Sequence, residues 1–161
     1  MNTLTHQQLS EILPHAFPFL LIDKVVDYKK DEYLVAEKCV TANEWCFAQV
    51  NEGLAQNTTS SEARGLVVEE GLHIFPETLL IEAAAQTAAV LYHVSRIKGG
   101  KRPQYRLGQA KAEFSDSIFV GDRIALKAKA TKMLTNIGLA DIEVSRAGQN
   151  LAHVAITYGI Q

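Results

Sequence analysis

The residues best placed for chemistry lie in the run Phe75-Pro76-Glu77-Thr78-Leu79-Leu80-Ile81-Glu82-Ala83-Ala84-Ala85-Gln86. Its pattern predicts a proline-initiated helix, apolar almost all round. It carries a carboxylate (Glu82) and an amide (Gln86) one turn apart, with Thr78 one turn back. A helix with so little polar surface is expected to be buried, and an acid on it is costly unless a partner pairs with it or a reaction uses it. Such a carboxylate can exchange protons with a substrate when an imidazole shares the site, or activate water or attack directly. His73 lies just before the helix, near its start, and by itself reads as an ordinary loop histidine. His15, between Pro14 and Pro18, reads as a packing or capping residue. His93, roughly on the Gln86 face toward the far end, reads as a satisfied polar contact in the core. Phe75, Leu79, Ala83 and Trp45 would look the same binding an apolar ligand as filling a core.

The helix that must position these groups is expected from about Pro76 to Lys98, roughly 30 Å of rise. Arg96 and Lys98 suit its negative end, and Gly99-Gly100 stops it. Thr5-His6-Gln7-Gln8 has capping-box spacing ahead of Leu9, Ile12 and Leu13, so a short helix ending at Pro14 comes first. Phe19 to Val26, a polar turn over Asp27 to Asp31, and Tyr33 to Val40 predict a hairpin over residues 19–41. Residues 51–72 read as a long polar loop, which inside a compact domain is either functional or mobile. Strands are expected at Tyr105–Phe114, Arg123–Met133, Leu139–Arg146 and Leu151–Ile160, the last two joined by Ala147-Gly148-Gln149-Asn150. Hairpin, long buried helix and antiparallel meander make an α+β plan, with the sheet wrapped around one helix.

The totals narrow the function. A chain of 161 residues suits one domain, here residues 1–161 with the loop at about 51–72 as an insertion, and can build a real core. A net charge of −2 gives no overall field to gather phosphates, so nucleic acid is not an expected partner. No apolar stretch is long and uninterrupted enough to predict a membrane span, and no signal peptide is visible at the N-terminus. Cys39 and Cys46 lack metal-type spacing and read as reduced thiols, which with the rest predicts a cytoplasmic protein. No metal-ligand spacing, Ser-His-Asp arrangement or phosphate loop is present, and no cofactor is expected.

Longer matches then come into view. Leu13-Pro14-His15-Ala16-Phe17-Pro18-Phe19-Leu20-Leu21-Ile22-Asp23-Lys24-Val25 closely resembles the opening motif of the hot-dog-fold 3-hydroxyacyl-[acyl-carrier-protein] dehydratases. Asn43-Glu44 with Phe47 resembles the segment leading to that family's active site. Ile74-Phe75-Pro76 and Leu79 to Gln86 resemble its central helix, and Phe114 with Val120-Gly121-Asp122 its third signature. Order and spacing hold across most of residues 13–160, apart from the insertion after residue 50.

The resemblance implies a curved antiparallel sheet around one long helix, dimers paired through edge strands, and an acyl chain in an apolar tunnel near the dimer interface. It implies an acyl-carrier-protein or coenzyme A thioester as substrate. The family pairs a histidine from one subunit with a helix carboxylate of the other. The carboxylate carries over onto Glu82, whereas Val50 stands where the histidine belongs. Glu77 replaces the glycine after the helix proline, and Ser115-Asp116-Ser117 replaces residues that are commonly basic, which weakens the expected docking of an acidic carrier. With Glu82 as the carboxylate, His73 as a substitute acid or base, and Phe75, Thr78, Leu79, Gln86 and Trp45 as substrate-binding positions, the first expectation is a divergent dehydratase of fatty-acid or related lipid biosynthesis. The alternatives are a thioesterase working through Glu82, and a non-catalytic acyl-binding or partner subunit.

Overall fold

Thr5 opens the first helix by capping it. Its hydroxyl accepts from the Gln8 amide while the Gln8 side chain accepts from the Thr5 amide at 2.9 Å, a closed capping box on α1 (His6–Ile12). A computed structural model describes this element and the rest of residues 2–47, 73–97 and 103–161. The expected loop over 51–72, Val50, and the helix stop at Lys98-Gly99-Gly100 lie outside the described residues.

Six strands form one antiparallel sheet: β1 (Lys24–Lys29), β2 (Tyr33–Cys39), β3 (Tyr105–Phe114), β4 (Arg123–Met133), β5 (Ile137–Arg146) and β6 (Gln149–Ile160). Their spatial order is β1-β2-β4-β5-β6-β3, so the strand after the long helix crosses to the far edge. That helix, α2 (Glu77–Arg96), packs against the sheet between β2 and β6. Period-two burial identifies the face it covers: Leu34 and Ala36 on β2, Ile124, Leu126 and Ala128 on β4, Ile142 and Val144 on β5, Val154 and Ile156 on β6. Ala83, Ala84 and Ala88 are fully buried, small enough to let helix and sheet backbones approach closely. This α+β arrangement is the hot-dog fold that the sequence predicts.

The first hairpin differs from expectation. Residues 19–23 are not strand, and β1 instead runs on through Asp27, Tyr28 and Lys29, with a register shift between Val25 and Asp27. Before it, the Phe19 and Leu20 amides donate to the Ala16 carbonyl at 2.7 and 3.1 Å and the Leu21 amide to the Gln86 side chain, 65 residues away, so contact with β2 begins at Asp23, whose amide donates to the Glu37 carbonyl at 2.9 Å. β5 and β6 meet at a tight turn, where Ala147 (φ 48°) and Gly148 (φ 86°) are both left-handed, as the twist of a two-residue hairpin requires.

Lys38 falls in the inward phase of β2, after Leu34 and Ala36, and is only 3% exposed. Its ammonium meets Glu44 Oε1 at 2.8 Å and lies 5.0 Å from the centre of the Phe75 ring. Glu44 also accepts from the Thr41 amide at 3.2 Å. One buried charge thus ties the end of β2, the turn after it and the entry to α2 together. Replacing Lys38 with Met strands Glu44 and is expected to destabilise the protein by about 3 kcal/mol in urea titration. Lys24→Met, which removes an exposed partner of Glu37, is expected to cost less than about 1 kcal/mol.

Candidate active site

Glu82 and Gln86 project from α2 toward the segment between α1 and β1. Gln86 is 1% exposed and its amide is fully used. Its oxygen accepts from the Leu21 amide at 2.9 Å, and its nitrogen donates to the Phe19 carbonyl at 2.7 Å and to Glu82 Oε1 at 2.9 Å. That clamp holds the opening motif along the helix and brings the His15 Nε2 to 3.2 Å from the same Glu82 oxygen. With the proton on Nε2, the ring donates to the carboxylate. Two N–H groups then converge on Oε1, while no hydrogen bond among the described residues engages Oε2. His15 Nδ1 is buried without a partner among the described residues.

A cavity of about 80 Å³ opens beside the pair, with His15, Glu82 and Gln86 at one end and Ala89, Tyr105 and Tyr158 further along the helix. Glu82 is less enclosed than the sequence pattern predicts: its side chain retains 29% exposure because it faces this cavity and not the sheet. The helix is otherwise buried through Leu79, Leu80, Ala83 and Ala84.

The other expected site residues are distributed differently. His73 does not pair with Glu82 among the described residues; its ring packs on Phe47 at 5.4 Å and its carbonyl accepts from the Val120 amide at 3.1 Å. The imidazole that reaches the carboxylate is His15, whose packing role in the sequence reading concealed it. Phe75 and Leu79 lie in the hydrophobic core, and Thr78 is exposed at the start of α2. Trp45 stacks on Phe19 at 5.4 Å, with its Nε1 unpartnered among the described residues. None of these five lines the cavity. His93 is not the satisfied core contact expected: its Nδ1 is buried without a partner among the described residues, and burial lowers its pKa. Asp116 is bound to Arg146 at 3.1 Å and Gln149 at 3.1 Å, so it braces the loop before β4.

Sheet and central helix define a hot-dog protein. The 3-hydroxyacyl-[acyl-carrier-protein] dehydratase FabZ of Staphylococcus carnosus (strain TM300) is 32% identical over 156 residues, spanning 97% of this chain and 94% of its own. The same enzyme of Staphylococcus aureus (strain JH9) matches to the same extent. The chain belongs to this FabZ dehydratase family. No family model matches it. Among solved structures, a chain of "The Dehydratase Heterocomplex ApeI:P from Xenorhabdus doucetiae" superposes with a TM-score of 0.70 at 14% identity, over 95% of this chain and 90% of that one. A putative thioesterase from Silicibacter sp. TM1040 gives 0.64 at 14% identity, over 98% and 92%. These two likenesses speak to the fold alone. Among the described residues, no helix is long and apolar enough to cross a membrane.

The clamp can be tested apart from any reaction. Gln86→Leu leaves the Leu21 amide and the Phe19 carbonyl without their partner. A loss of about 2–3 kcal/mol in urea titration is expected, with hydrogen exchange at the Leu21 amide accelerated toward the rate of an open segment.

Proposed function

We propose that this chain is an acyl-thioester hydro-lyase that removes water from a 3-hydroxyacyl thioester, with Glu82 and His15 as the proton-exchanging pair. The contact of 3.2 Å between His15 Nε2 and Glu82 Oε1, at the mouth of a cavity, carries this reading. One member of the pair takes a proton from carbon 2, and the C–H electrons form the C2=C3 bond. The C3–O bond breaks, and the other member supplies the proton that lets the hydroxyl leave as water. Both groups then sit within hydrogen-bond reach of one substrate, as concerted acid–base work requires. Family membership supports a thioester of acyl-carrier protein or coenzyme A as substrate. The free thiols Cys39 and Cys46 suit the reducing cytoplasm.

The partner suggested by the sheet is another copy of a hot-dog chain. β3 is an edge strand of 10 residues, and most of its side chains, including Leu107 at 53% exposure, are uncovered. A long bare edge is a template for strand pairing. Val50, at the family's histidine position, favours a second reading in which the partner is an active homologous subunit that supplies the missing imidazole. Light scattering separates the two: a species of twice the 17.7 kDa chain is expected for the purified protein alone. A monomer that dimerises only with a co-expressed homologue would favour the second reading.

The reaction is read as absorbance of the conjugated product from 3-hydroxyacyl thioesters of several lengths. Glu82→Gln and His15→Asn are each expected to lower turnover by about 10²–10⁴-fold, and His73→Asn to leave it within a few fold. Free-thiol release that depends on Glu82, with no conjugated product, would point to hydrolysis. Full activity in Glu82→Gln would overturn both reactions.

A further inference from the structure

The cavity beside the His15–Glu82 pair has an open side and a closed end. Arg106 and Leu107, both exposed on the edge strand β3, border the open side. At the other end, by Ala89, the lining passes to Tyr105 and Tyr158, and Tyr158 is only 4% exposed. Tyr92 meets both rings edge to face, its centroid 5.9 Å from Tyr158 and 6.3 Å from Tyr105, and those two lie 6.4 Å apart. The Tyr92 hydroxyl is shared between the carbonyls of Leu134 and Thr135 at 3.1 and 2.9 Å, which ties the group to the β4–β5 turn. On the far side of Tyr92 the surface opens again, into a cleft of about 460 Å³ bordered by Tyr92, Met133 and Leu134. The three tyrosines thus stand between two spaces along α2.

Tyr158 is the ring for which the sheet makes special room. It follows Val154 and Ile156 in the inward phase of β6 and pairs with Gly138 on β5. A Cβ on Gly138 would collide with the Tyr158 ring, so only the glycine lets that ring reach across β5. Edge-to-face contact with two neighbours then holds it beyond what its burial alone would do. A ring this confined does not swing aside cheaply.

We propose that Tyr158 sets the acyl-chain length this protein accepts, by closing the cavity at its Ala89 end. This rests on the reading that the thioester end of the chain lies at His15 and Glu82. From Glu82 to Ala89 the helix rises only about 10 Å, which leaves room for a short chain. A longer tail running along α2 would have to displace a packed ring from the core, and overfilling a packed interior is costly. The limit works by rejection: it is a clash against the longer chain, not an added contact to the shorter one.

The test is a length series of non-hydrolysable 3-hydroxyacyl-pantetheine thioethers, from butyryl to decanoyl, with binding measured by calorimetry and thermal melts as the folding check. The wild type is expected to bind the hexanoyl ligand at least about 10-fold more tightly than the decanoyl. Tyr158→Phe keeps the ring and is expected to keep that limit. Tyr158→Ala, or Tyr158→Leu should the alanine variant not fold, is expected to bind the decanoyl ligand at least as tightly as the hexanoyl. Leu126→Ala empties core volume on β4, away from the cavity, and is expected to retain the limit. Equal affinities for the two lengths in the wild type would overturn the proposal, since the tail would then leave by the open side. A limit that survives in a folded Tyr158→Leu, or one that Leu126→Ala also abolishes, would overturn it too. If the wild type bound no member of the series, the reading of this cavity as the acyl site would fall, and the proposal with it.

Discussion

A buried amide cannot be left half-satisfied, and the arrangement around Gln86 follows from that constraint. Gln86 sits on the sheet-covered helix with no access to water, so its oxygen and nitrogen must find protein partners. They find them in the backbone of residues 19 and 21 and in the Glu82 carboxylate. One side chain therefore sets the path of the opening motif, the orientation of the acid and the approach of His15. Without the clamp, the Leu21 amide and the Phe19 carbonyl would lose their partner on α2, and the imidazole its support.

The fold explains why the acid stands where it does. The same helix must be apolar to pack on five strands and polar at one stripe to hold the opening segment. Ala83, Ala84 and Ala88 serve the first demand on the sheet side, and Glu82 and Gln86 the second. The cavity lies along the stripe, since Ala85 and Ala89 are too small to fill the space between α2 and β3. The proposed reacting groups and the cavity beside them are thus consequences of one helix serving two neighbours.

Much of this was legible in the chain. The capping box at Thr5, the limits of β3 and β4, and the long helix came from local spacing, which is where single-sequence patterns are informative. Glu82 stood out because an acid on an apolar helix needs a reason. Its partner did not. His15 and Glu82 are far apart in sequence, and no periodicity links them; only the Gln86 clamp, a long-range contact, brings them together. The apolar run from Phe19 looked like strand and is not, since its amides donate to Ala16 and Gln86 before contact with β2 begins. Phe75 and Leu79 show the opposite limit, since a residue that lines a tunnel and one that fills a core have the same composition.

The most direct test is a crystal structure with a non-hydrolysable 3-hydroxyacyl-pantetheine thioether bound to the assembled protein. The ligand is expected along α2, with its 3-hydroxyl or carbon 2 about 3 Å from Glu82 or His15. A ligand bound elsewhere, with the His15–Glu82 pair sealed from it, would contradict the assignment of these residues while leaving the fold intact.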